Sequence, residues 1–357
     1  MAFIRNHWYG AIWGADLADE PVARRILDRP LVLFRTSDGE IAVLDDTCPH
    51  RFVALHLGRV VDGQRIRCAY HGLEFDRSGA CAHNPHTKGR IPPAARVKNY
   101  AAVERHGMVW VWLGDKAADP SLIPDFSVLD DADPKLISKR EWLEMDAHYT
   151  IVVDNLLDLS HACLLHEGVL GNAEMMDAEI QVDENDGDLT VRRLMSDVPV
   201  PLLLDLLYKD DRGQVDSWAD IRLMGASALL NHVGVTEPGE GRQGGTAMLG
   251  VHILTPINER RTLYHFCAMR VNPVERSVGA DLAIREQLTR LRNHAFSQQD
   301  AVVMASQQAA LDDPAIDTSR PALFEIDVGA ARYARRIEHM LAVDGGRIRP
   351  LAPTSQS

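Results

Sequence analysis

Two short motifs near the N-terminus combine residues that bind transition metals. The segment CPHRFVALHLGRVVDGQRIRCAYHG holds Cys48-x-His50 and Cys68-x-x-His71, with seventeen residues between His50 and Cys68. Zinc is the commonest metal for mixed Cys and His ligands, but zinc fingers usually pair Cys with Cys and His with His. Here each motif supplies one residue of each type. This interleaving favours a two-iron cluster with both cysteines on one iron and both histidines on the other. Structural zinc remains the alternative.

Such a cluster would be suited to electron transfer. Replacing two thiolates by neutral imidazoles on one iron raises the reduction potential above that of an all-cysteine cluster. The remaining cysteines, Cys81, Cys163 and Cys267, do not share the spacing. We interpret these three as small core residues.

A second group of candidate ligands lies in DNLLDLSHACLLH, where Asn155 and Asp158 precede His161 and His166. On an ideal helix the two imidazoles would lie about 140° apart, so joint ligation needs a distorted turn or a helix end. Asp158 precedes His161 by three residues, where its carboxylate could orient a ligand imidazole. The alternative is a pair of ordinary core histidines.

Two histidines and one carboxylate leave open positions for oxygen on ferrous iron. The segment HAFSQQDAVV offers Asp300 as the carboxylate. On a helix, Phe296, Asp300 and Val303 fall on one stripe, which gives this aspartate apolar neighbours. A buried carboxylate needs a partner, and a metal would serve. The alternative is that this helix face is simply exposed.

The composition is that of a globular protein with room for two domains. The chain has 357 residues, of which 46% are hydrophobic and 25% charged, and a net charge of -13. This acidic balance argues against nucleic acid and against an anionic membrane surface as partners. The first residues do not look like a secretory signal, and the apolar runs are too short to span a membrane. The five cysteines, an odd number, favour a reducing cytoplasm.

The elements that must position these residues change in character along the chain. The first third is punctuated by turns such as Ser-Asp-Gly and reads as a small β-domain that closes with the strand at 108–114. A Pro- and Asp-rich passage, Asp115–Pro134, is the candidate junction. A buried helix at 151–166, strands between 179 and 271, a long helix at 281–311 and a last helix at 328–341 come after it.

The motifs CPHR, YHGLEFD, HNPH, VDNLLDLSHA and HILTP resemble those of Rieske non-haem iron oxygenases, over nearly the whole chain. The resemblance is strongest to aromatic O-demethylases, namely vanillate O-demethylase oxygenase subunits and dicamba O-demethylase. It implies an α+β fold with an all-β Rieske domain at 1–120. A catalytic domain of the helix-grip type, an antiparallel sheet covered by helices, would occupy 121–357.

The resemblance also implies two cofactors per chain, one Rieske 2Fe–2S cluster and one mononuclear Fe(II). The cluster ligands would be Cys48, His50, Cys68 and His71, and the mononuclear iron ligands would be His161, His166 and Asp300. Asn155 would lie beside that iron. In homotrimers of the family, the residue matched by Asp158 links an iron histidine to a Rieske histidine of the next subunit, which here would be His71.

The implied function is that of the oxygenase component of a monooxygenase system acting on a small aromatic substrate with O2. Electrons would come from a separate NAD(P)H-dependent reductase, since the chain has no G-x-G-x-x-G between a strand and a helix. Oxidative O-demethylation of a methoxy-aromatic acid, releasing formaldehyde, is the expected reaction. N-demethylation and ring or alkyl hydroxylation are alternatives, and a Rieske electron-transfer protein is the non-enzyme alternative.

Two polar residues in otherwise apolar strands are the expected substrate contacts. Asn231 in LLNHVGV and His252 in GVHILTP match substrate-contacting positions of the dicamba relative. Each could equally be a buried residue hydrogen-bonded to backbone. A tryptophan in that relative's pocket falls on Leu291, so the same substrate is not expected.

Overall fold

Two compact units make up the protein in a computed structural model, which describes residues 3–167, 170–171, 173–185, 187–208, 213–274 and 277–343. The smaller unit comprises Arg5–Ile123 together with Thr255–Asn258. The larger unit comprises the rest of the chain, principally from Pro124 onwards. The division lies close to the boundary expected at residue 120, but the sequence did not indicate that Thr255–Asn258 belongs to the first unit.

The smaller unit consists of short antiparallel strands. They are β1 (His7–Trp13), β2 (Val22–Ile26), β3 (Arg29–Arg35), β4 (Ile41–Asp45), β5 (Arg59–Val61), β6 (Arg65–Arg67), β7 (Glu74–Asp76), β8 (Cys81–His83), β9 (Ala102–Arg105) and β10 (Met108–Leu113). They form three sheets with the orders β1-β10-β9, β2-β3-β4 and β5-β6-β7-β8. The expected Ser-Asp-Gly turn joins β3 to β4, and its Gly39 has a φ of +87°, which favours glycine.

Strand β3 is buried on both faces because its apolar residues form a continuous run. Leu31 and Leu33 pack with Val109 in one core. Side chains alternate along a strand, so the residues between them face the other way. Phe34 lies in a second core, which also contains Cys48 and Cys68. The cysteines of the first motif are therefore anchored in the interior of this unit.

The larger unit is built on a seven-stranded antiparallel sheet. Its strands are β11 (Glu141–Met145), β12 (Glu179–Asn185), β13 (Asp188–Pro199), β14 (Gln214–Met224), β15 (Ala228–Thr236), β16 (Thr246–Asn258) and β17 (Arg261–Val271), in the order β11-β17-β16-β15-β14-β13-β12. This sheet, with its helices and the preceding β unit, confirms the expected α+β class. β14 lies within the stretch expected to hold strands, although Asp216, Asp220 and Arg222 interrupt its apolar residues.

Helices account for most of the remaining structure of the larger unit. They are α1 (Tyr149–Leu157), α2 (Ala162–Leu165), α3 (Leu202–Asp205), α4 (Val278–His294), α5 (Ala301–Asp312) and α6 (Val328–Val343). The core between α1 and the sheet contains Val152 and Leu156 of α1 with Leu229 of β15. Within the described residues, none of the helices has the length and apolar character needed to span a membrane.

Two expected helices are interrupted at the residues of interest. The helix expected over 151–166 ends at Leu157, and a 3-10 turn (Leu159–His161) precedes α2. Asp158 causes the break, because its carboxylate accepts hydrogen bonds from the Ser160 amide (2.9 Å) and hydroxyl (2.6 Å). The helix expected over 281–311 is divided by a π-helical segment, Ala295–Asp300, between α4 and α5.

Candidate metal centres

The two cysteine loops of the smaller unit close in the same way. The Cys48 amide donates to the Val53 carbonyl (2.9 Å), and the Cys48 carbonyl accepts from the Phe52 amide (2.9 Å). The Cys68 amide likewise donates to the carbonyl five residues later (2.8 Å), and its carbonyl accepts from the Gly72 amide (3.1 Å). Phe52 and Gly72 both have positive φ, at 60° and 70°. Each loop therefore turns back on its own cysteine.

These loops bring the four expected cluster ligands together in two layers. Cys48 and Cys68 are 2% and 3% exposed and share the interior. His50 and His71 lie further out, with ring centroids 4.5 Å apart. One inner pair of thiols and one outer pair of imidazoles is the donor set that a Rieske cluster needs. Cys81 packs against the core that contains the two thiols, as expected of a core residue.

The electrostatics of these loops depend on burial and on neighbouring ligands. Burial, with a smaller contribution from Cys68, raises the pKa of Cys48 to about 11, so iron binding would have to displace a proton from this thiol. Burial and then the neighbouring His50 lower the pKa of His71, which favours the neutral imidazole that binds a metal.

The second candidate centre lies in the larger unit, where His161, His166 and Asp300 converge. One ligand atom of each residue lies within 4.8 Å of the others. Oδ1 of Asp300 is 3.6 Å from His161 Nε2 and 3.2 Å from His166 Nε2. His166 and Asp300 are each 2% exposed. Both histidines lie at the ends of short helical turns, where the separation required by an ideal helix does not apply.

Hydrogen bonds hold both imidazoles with Nε2 towards Asp300. Gln299 Nε2 donates to the Leu165 carbonyl (2.7 Å), so Gln299 Oε1 is left to accept from His166 Nδ1 (2.9 Å). His161 Nδ1 donates to the backbone carbonyl of Asp158. The lone pairs of two Nε2 atoms and a carboxylate thus face one another, and a proton or a cation must lie between them.

Without a metal, a proton can occupy this position. Burial alone would lower the pKa of His166, but Asp300 and Gln299 outweigh it and raise that pKa. Burial lowers the pKa of His161, although Asp300 opposes the shift. A divalent cation would displace the shared proton and satisfy all three acceptors. The residues therefore fit a mononuclear iron site with two histidines and one carboxylate.

The π-helical segment explains how Asp300 reaches the histidines. A π turn holds one residue more than an α turn. The helix beyond it is therefore rotated relative to an uninterrupted α-helix of the same sequence, and such turns are frequent at functional sites. Phe296 and Asp300 are buried as expected, but Val303 is 46% exposed. The prediction that these three residues share one stripe is therefore wrong for Val303, because the stripe assumed a regular α-helix.

Asn155 and Asp158 lie next to the histidine–aspartate site in different ways. Asn155 Nδ2 lies 3.4 Å from Asp300 Oδ1. The Asp158 carboxylate forms an ion pair with Arg193 (2.6 Å), and only its backbone carbonyl contacts His161. The expectation that the carboxylate orients the imidazole within the chain is therefore corrected.

A cavity of about 100 Å³ adjoins the three candidate iron ligands. Its remaining wall is largely apolar and includes Leu159, Met175, Met195, Leu204, Met248 and Phe296. The expected substrate contacts, Asn231 and His252, both line it. Leu291 packs beside this region against a cluster that contains Leu288.

Both expected substrate contacts have unsatisfied polar atoms. Asn231 Oδ1 and His252 Nε2 are buried without a hydrogen-bond partner, while His252 Nδ1 contacts the Tyr264 hydroxyl. Burial and then Arg292 lower the pKa of His252 to about 3, so this imidazole is neutral at pH 7. A Cβ at Gly250 would lie 2.8 Å from His252 Nε2 and 3.4 Å from Asn231 Cβ. A side chain at position 250 would therefore crowd both groups.

Four further residues of the site were missed in the sequence: Gln299, Arg193, Trp218 and Arg292. Alternation along β13 places Arg193 on the buried face with Leu189 and Val191, a signal that was present. Arg292 follows Leu288 by four residues on the buried stripe of α4, which was a second signal. No comparable pattern marks Gln299 or Trp218.

Comparison with known families agrees with this geometry. The Rieske [2Fe-2S] domain matches residues 7–101. The vanillate O-demethylase oxygenase C-terminal domain matches residues 145–343. The first match contains the two cysteine loops, and the second contains the histidine–aspartate site and its cavity.

Individual relatives match along almost the whole chain. The oxygenase component of dicamba O-demethylase from Stenotrophomonas maltophilia is 35% identical over 95% of this chain and 98% of its own length. The iron-sulfur subunit of a toluene-4-sulfonate monooxygenase system from Comamonas testosteroni is 31% identical over 98% of this chain and 100% of its own. The crystal structure of dicamba monooxygenase bound to 3,6-dichlorosalicylic acid matches with a TM-score of 0.89 and 35% identity, covering 97% of this chain and 100% of that one.

These matches confirm the resemblance inferred from the motifs, together with the expected fold class and cofactors. The chain belongs to the Rieske non-haem iron oxygenases, oxidoreductases that carry a Rieske 2Fe–2S cluster and a mononuclear non-haem iron.

Proposed function

We propose that this chain is the oxygenase component of a monooxygenase system that removes the methyl group from a small methoxy-aromatic acid. The observation that carries the proposal is the convergence of His161, His166 and Asp300 at the wall of an apolar cavity. That cavity also contains unpaired polar atoms of Asn231 and His252. An apolar pocket with a few polar groups suits an aromatic ligand that must be held in one orientation.

The residues of this site have separable roles in the proposed reaction. His161, His166 and Asp300 would hold ferrous iron, which when bound supplies the activation of O2 needed to oxidise a substrate C–H bond. Gln299 holds the Nδ1 proton of His166, so that Nε2 stays free as a ligand. Asn155 donates to the Asp300 carboxylate and restrains it. The apolar walls exclude water from the substrate.

The overall reaction balances with one O2, two electrons and two protons. One oxygen atom enters the methyl C–H bond, and the other leaves as water. The hydroxymethyl ether then loses its hydroxyl proton and breaks its bond to the ring oxygen, which gives a phenol and formaldehyde. The two electrons come from a separate NAD(P)H-dependent reductase. The names of the two relatives specify an O-demethylation and an aromatic sulfonate, which supports an aromatic anion as the substrate.

We propose that the working assembly is a homotrimer in which Asp158 links the two metal sites of adjacent subunits. The Asp158 carboxylate is 24% exposed and is oriented by Arg193, so a neighbouring chain can reach it. The Asp158 carbonyl already holds His161. His71 of the adjacent subunit would be its partner. Asp158→Asn should keep the cluster and the mononuclear iron and should slow oxidation of the reduced cluster by O2 with substrate about tenfold. Sedimentation showing only monomers would contradict the trimer.

A cytoplasmic location is part of the proposal. The five cysteines are free, and a reducing compartment keeps thiols available for cluster assembly. The NAD(P)H-dependent reductase would then be in the same compartment as this chain. Cell fractionation with a Rieske-specific spectrum as the readout tests this location, and recovery outside the cytoplasm would refute it.

The decisive experiment measures iron, acid-labile sulfide and formaldehyde in the same preparations. The wild type should contain about three irons and two sulfides per chain and should release formaldehyde from a methoxybenzoate when supplied with a reductase and O2. Asp300→Ala should contain about two irons, keep the cluster spectrum and release none. Asp146→Ala, at an exposed carboxylate, is the matched control.

Other outcomes separate the alternatives. The wild type could contain three irons but hydroxylate a ring or remove an N-methyl group. This result would show that the chain catalyses one of those reactions in place of O-demethylation. Two irons that reloading with ferrous iron does not increase would indicate an electron carrier. Zinc without visible colour would overturn the whole proposal.

A further inference from the structure

Arg292 is a buried arginine with an unused hydrogen-bonding group beside the cavity. It lies on α4, is 2% exposed and lines the cavity. Its Nη1 donates to the Ser138 hydroxyl (3.1 Å). The guanidinium carbon lies 5.2 Å from the Phe266 ring centroid and 5.6 Å from that of Phe296. Its Nη2 is buried without a hydrogen-bond partner. Buried arginines are rare unless they are paired.

Other buried arginines of the larger unit have carboxylate partners. Arg193 pairs with Asp158 at 2.6 Å, and Arg270 pairs with Asp281 at 2.8 Å. In the described part of the chain, Arg292 forms no ion pair of this kind. Burial lowers the pKa of Arg292, and Glu141 opposes this shift less than Tyr264 and Cys267 do. A buried donor left in this state costs free energy that an anionic ligand would recover.

Two further polar side chains line the cavity near Arg292. The Phe296 ring contacts both Arg292 and His252, whose ring centroid lies 5.9 Å away. His252 is neutral and has a free Nε2, and Asn231 lies beside it. Arg292 is therefore the charged member of this polar group, and its charge is positive.

We propose that Nη2 of Arg292 binds an anionic oxygen of the aromatic substrate, a carboxylate or a sulfonate, and thereby selects anionic over neutral aromatic compounds. The inference rests on the proposed function, since it names the substrate class of the same cavity. The planar guanidinium suits carboxylate and sulfonate oxygens. Asp300, eight residues later, lines the same cavity. When the charged group of an aromatic anion binds Arg292, its ring would lie in the cavity whose wall includes the candidate iron ligands.

The test compares matched pairs of charged and neutral probes by isothermal titration calorimetry, without reductant or turnover. The pairs are 2-, 3- and 4-methoxybenzoate with the corresponding methoxybenzamides, and toluene-4-sulfonate with toluene-4-sulfonamide. In the wild type, at least one anion should bind about 10- to 100-fold more tightly than its amide, the expected value of a charge-assisted hydrogen bond. The sulfonate and carboxylate arms show which anion the site prefers.

Three variants assign the preference to Arg292. Arg292→Gln should abolish the difference between anion and amide, and Arg292→Lys should retain part of it. Arg270→Gln removes a buried arginine outside the cavity and should keep the full preference while losing stability. Thermal unfolding and the visible cluster spectrum establish that each variant is folded.

The outcomes distinguish this inference from the proposed function. Equal wild-type affinity for acid and amide, or no binding of any anion, would overturn the role of Arg292 even if demethylation occurs. A preference that persists in Arg292→Gln would overturn it as well. Anion-selective binding without oxidation of any bound probe would keep the anion site and overturn the oxygenase proposal.

Discussion

Gln299 and Asp154 show how single polar side chains determine the behaviour of the histidine–aspartate site and its helix. Gln299 bridges the Leu165 carbonyl and His166, so it fixes both the orientation and the tautomer of this proposed ligand. Asp154 lies on α1, where burial and then Asp158 raise its pKa to about 6. Gln299 therefore supports the geometry of the histidine–aspartate site. Asp154 lowers the free energy of unfolding when its carboxyl group is ionised.

Replacing Gln299 should weaken iron binding and leave the cluster intact. Gln299→Ala removes the acceptor of the His166 Nδ1 proton, and such losses commonly lower metal affinity about 10- to 100-fold. Titration of the iron-depleted protein with ferrous iron measures the change. Gln298→Ala is the matched control, since that neighbouring side chain is exposed and contacts Ser297. Equal affinity in the two variants would contradict the role given to Gln299.

Asp154→Asn should stabilise the protein at neutral pH. The folded state favours the protonated carboxyl, so ionisation above pH 6 costs free energy that asparagine avoids, on the order of 1–2 kcal/mol. The gain should disappear below about pH 4, where Asp154 is protonated in the folded and unfolded states alike. Denaturant unfolding at pH 7.5 and 4 measures this difference. Asp146→Asn, at an exposed site, should change stability by less than about 0.5 kcal/mol.

At the scale of elements, the π-helical segment is the feature that sequence patterns could not supply. The spacing of Ile284 and Leu288 located the buried stripe of α4 correctly. A single inserted residue leaves no mark in hydrophobic periodicity, so the exposure of Val303 was mispredicted. The break at Asp158 could have been read from its Ser160 neighbour, since short polar side chains compete for backbone hydrogen bonds.

Deleting one residue from the π-helical segment should convert it to α-helix without loss of the iron. The wide turn holds one residue more than an α turn, so removal of Ser297 allows a regular α-helix with Asp300 on nearly the same face as before. Circular dichroism should show unchanged or higher helix content, and metal analysis should still find about three irons per chain. Insertion of an alanine after Ser297 is the contrasting variant, because a second extra residue rotates Asp300 by about 100° and should remove the mononuclear iron while the cluster spectrum persists. Loss of the iron in the deletion variant would contradict this account of the segment.

At the scale of the whole molecule, the sequence indicated both candidate metal-binding motifs, but two buried histidines and a buried arginine became recognisable only after folding. His148 and His252 are far apart in the chain, yet burial lowers the pKa of each to about 3. Arg292 lies at the cavity because α4 packs against Phe266 of β17. Contacts between separate elements cannot be predicted from a local sequence pattern. The free energy of unfolding should therefore depend on these buried histidines, which no sequence motif marks.

The free energy of unfolding should fall as the pH is lowered from 6.5 towards 4. In this range the unfolded state protonates His148 and His252 while the folded state does not, which costs up to about 1.4 kcal/mol per pH unit for each. Asp154 acts in the opposite direction below pH 6 and offsets about half of this loss. Denaturant unfolding between pH 4 and 7.5 measures the slope. His148→Gln should make it shallower, and a flat profile for the wild type would contradict the burial of these imidazoles.

Trp218 gives the substrate cavity an optical signal of its own. Its indole is 2% exposed and lines the cavity, and Arg242 lies over its ring at 5.0 Å. A Cβ at Gly234 or Gly245 would collide with that ring, so the indole is held in one place. The other tryptophan of this unit, Trp142, is 49% exposed. Trp8, Trp13, Trp110 and Trp112 of the smaller unit are buried as well and contribute equally to both proteins. A ligand-induced change in fluorescence that the wild type shows and Trp218→Phe lacks would therefore report whether the cavity is filled, without iron, reductase or turnover.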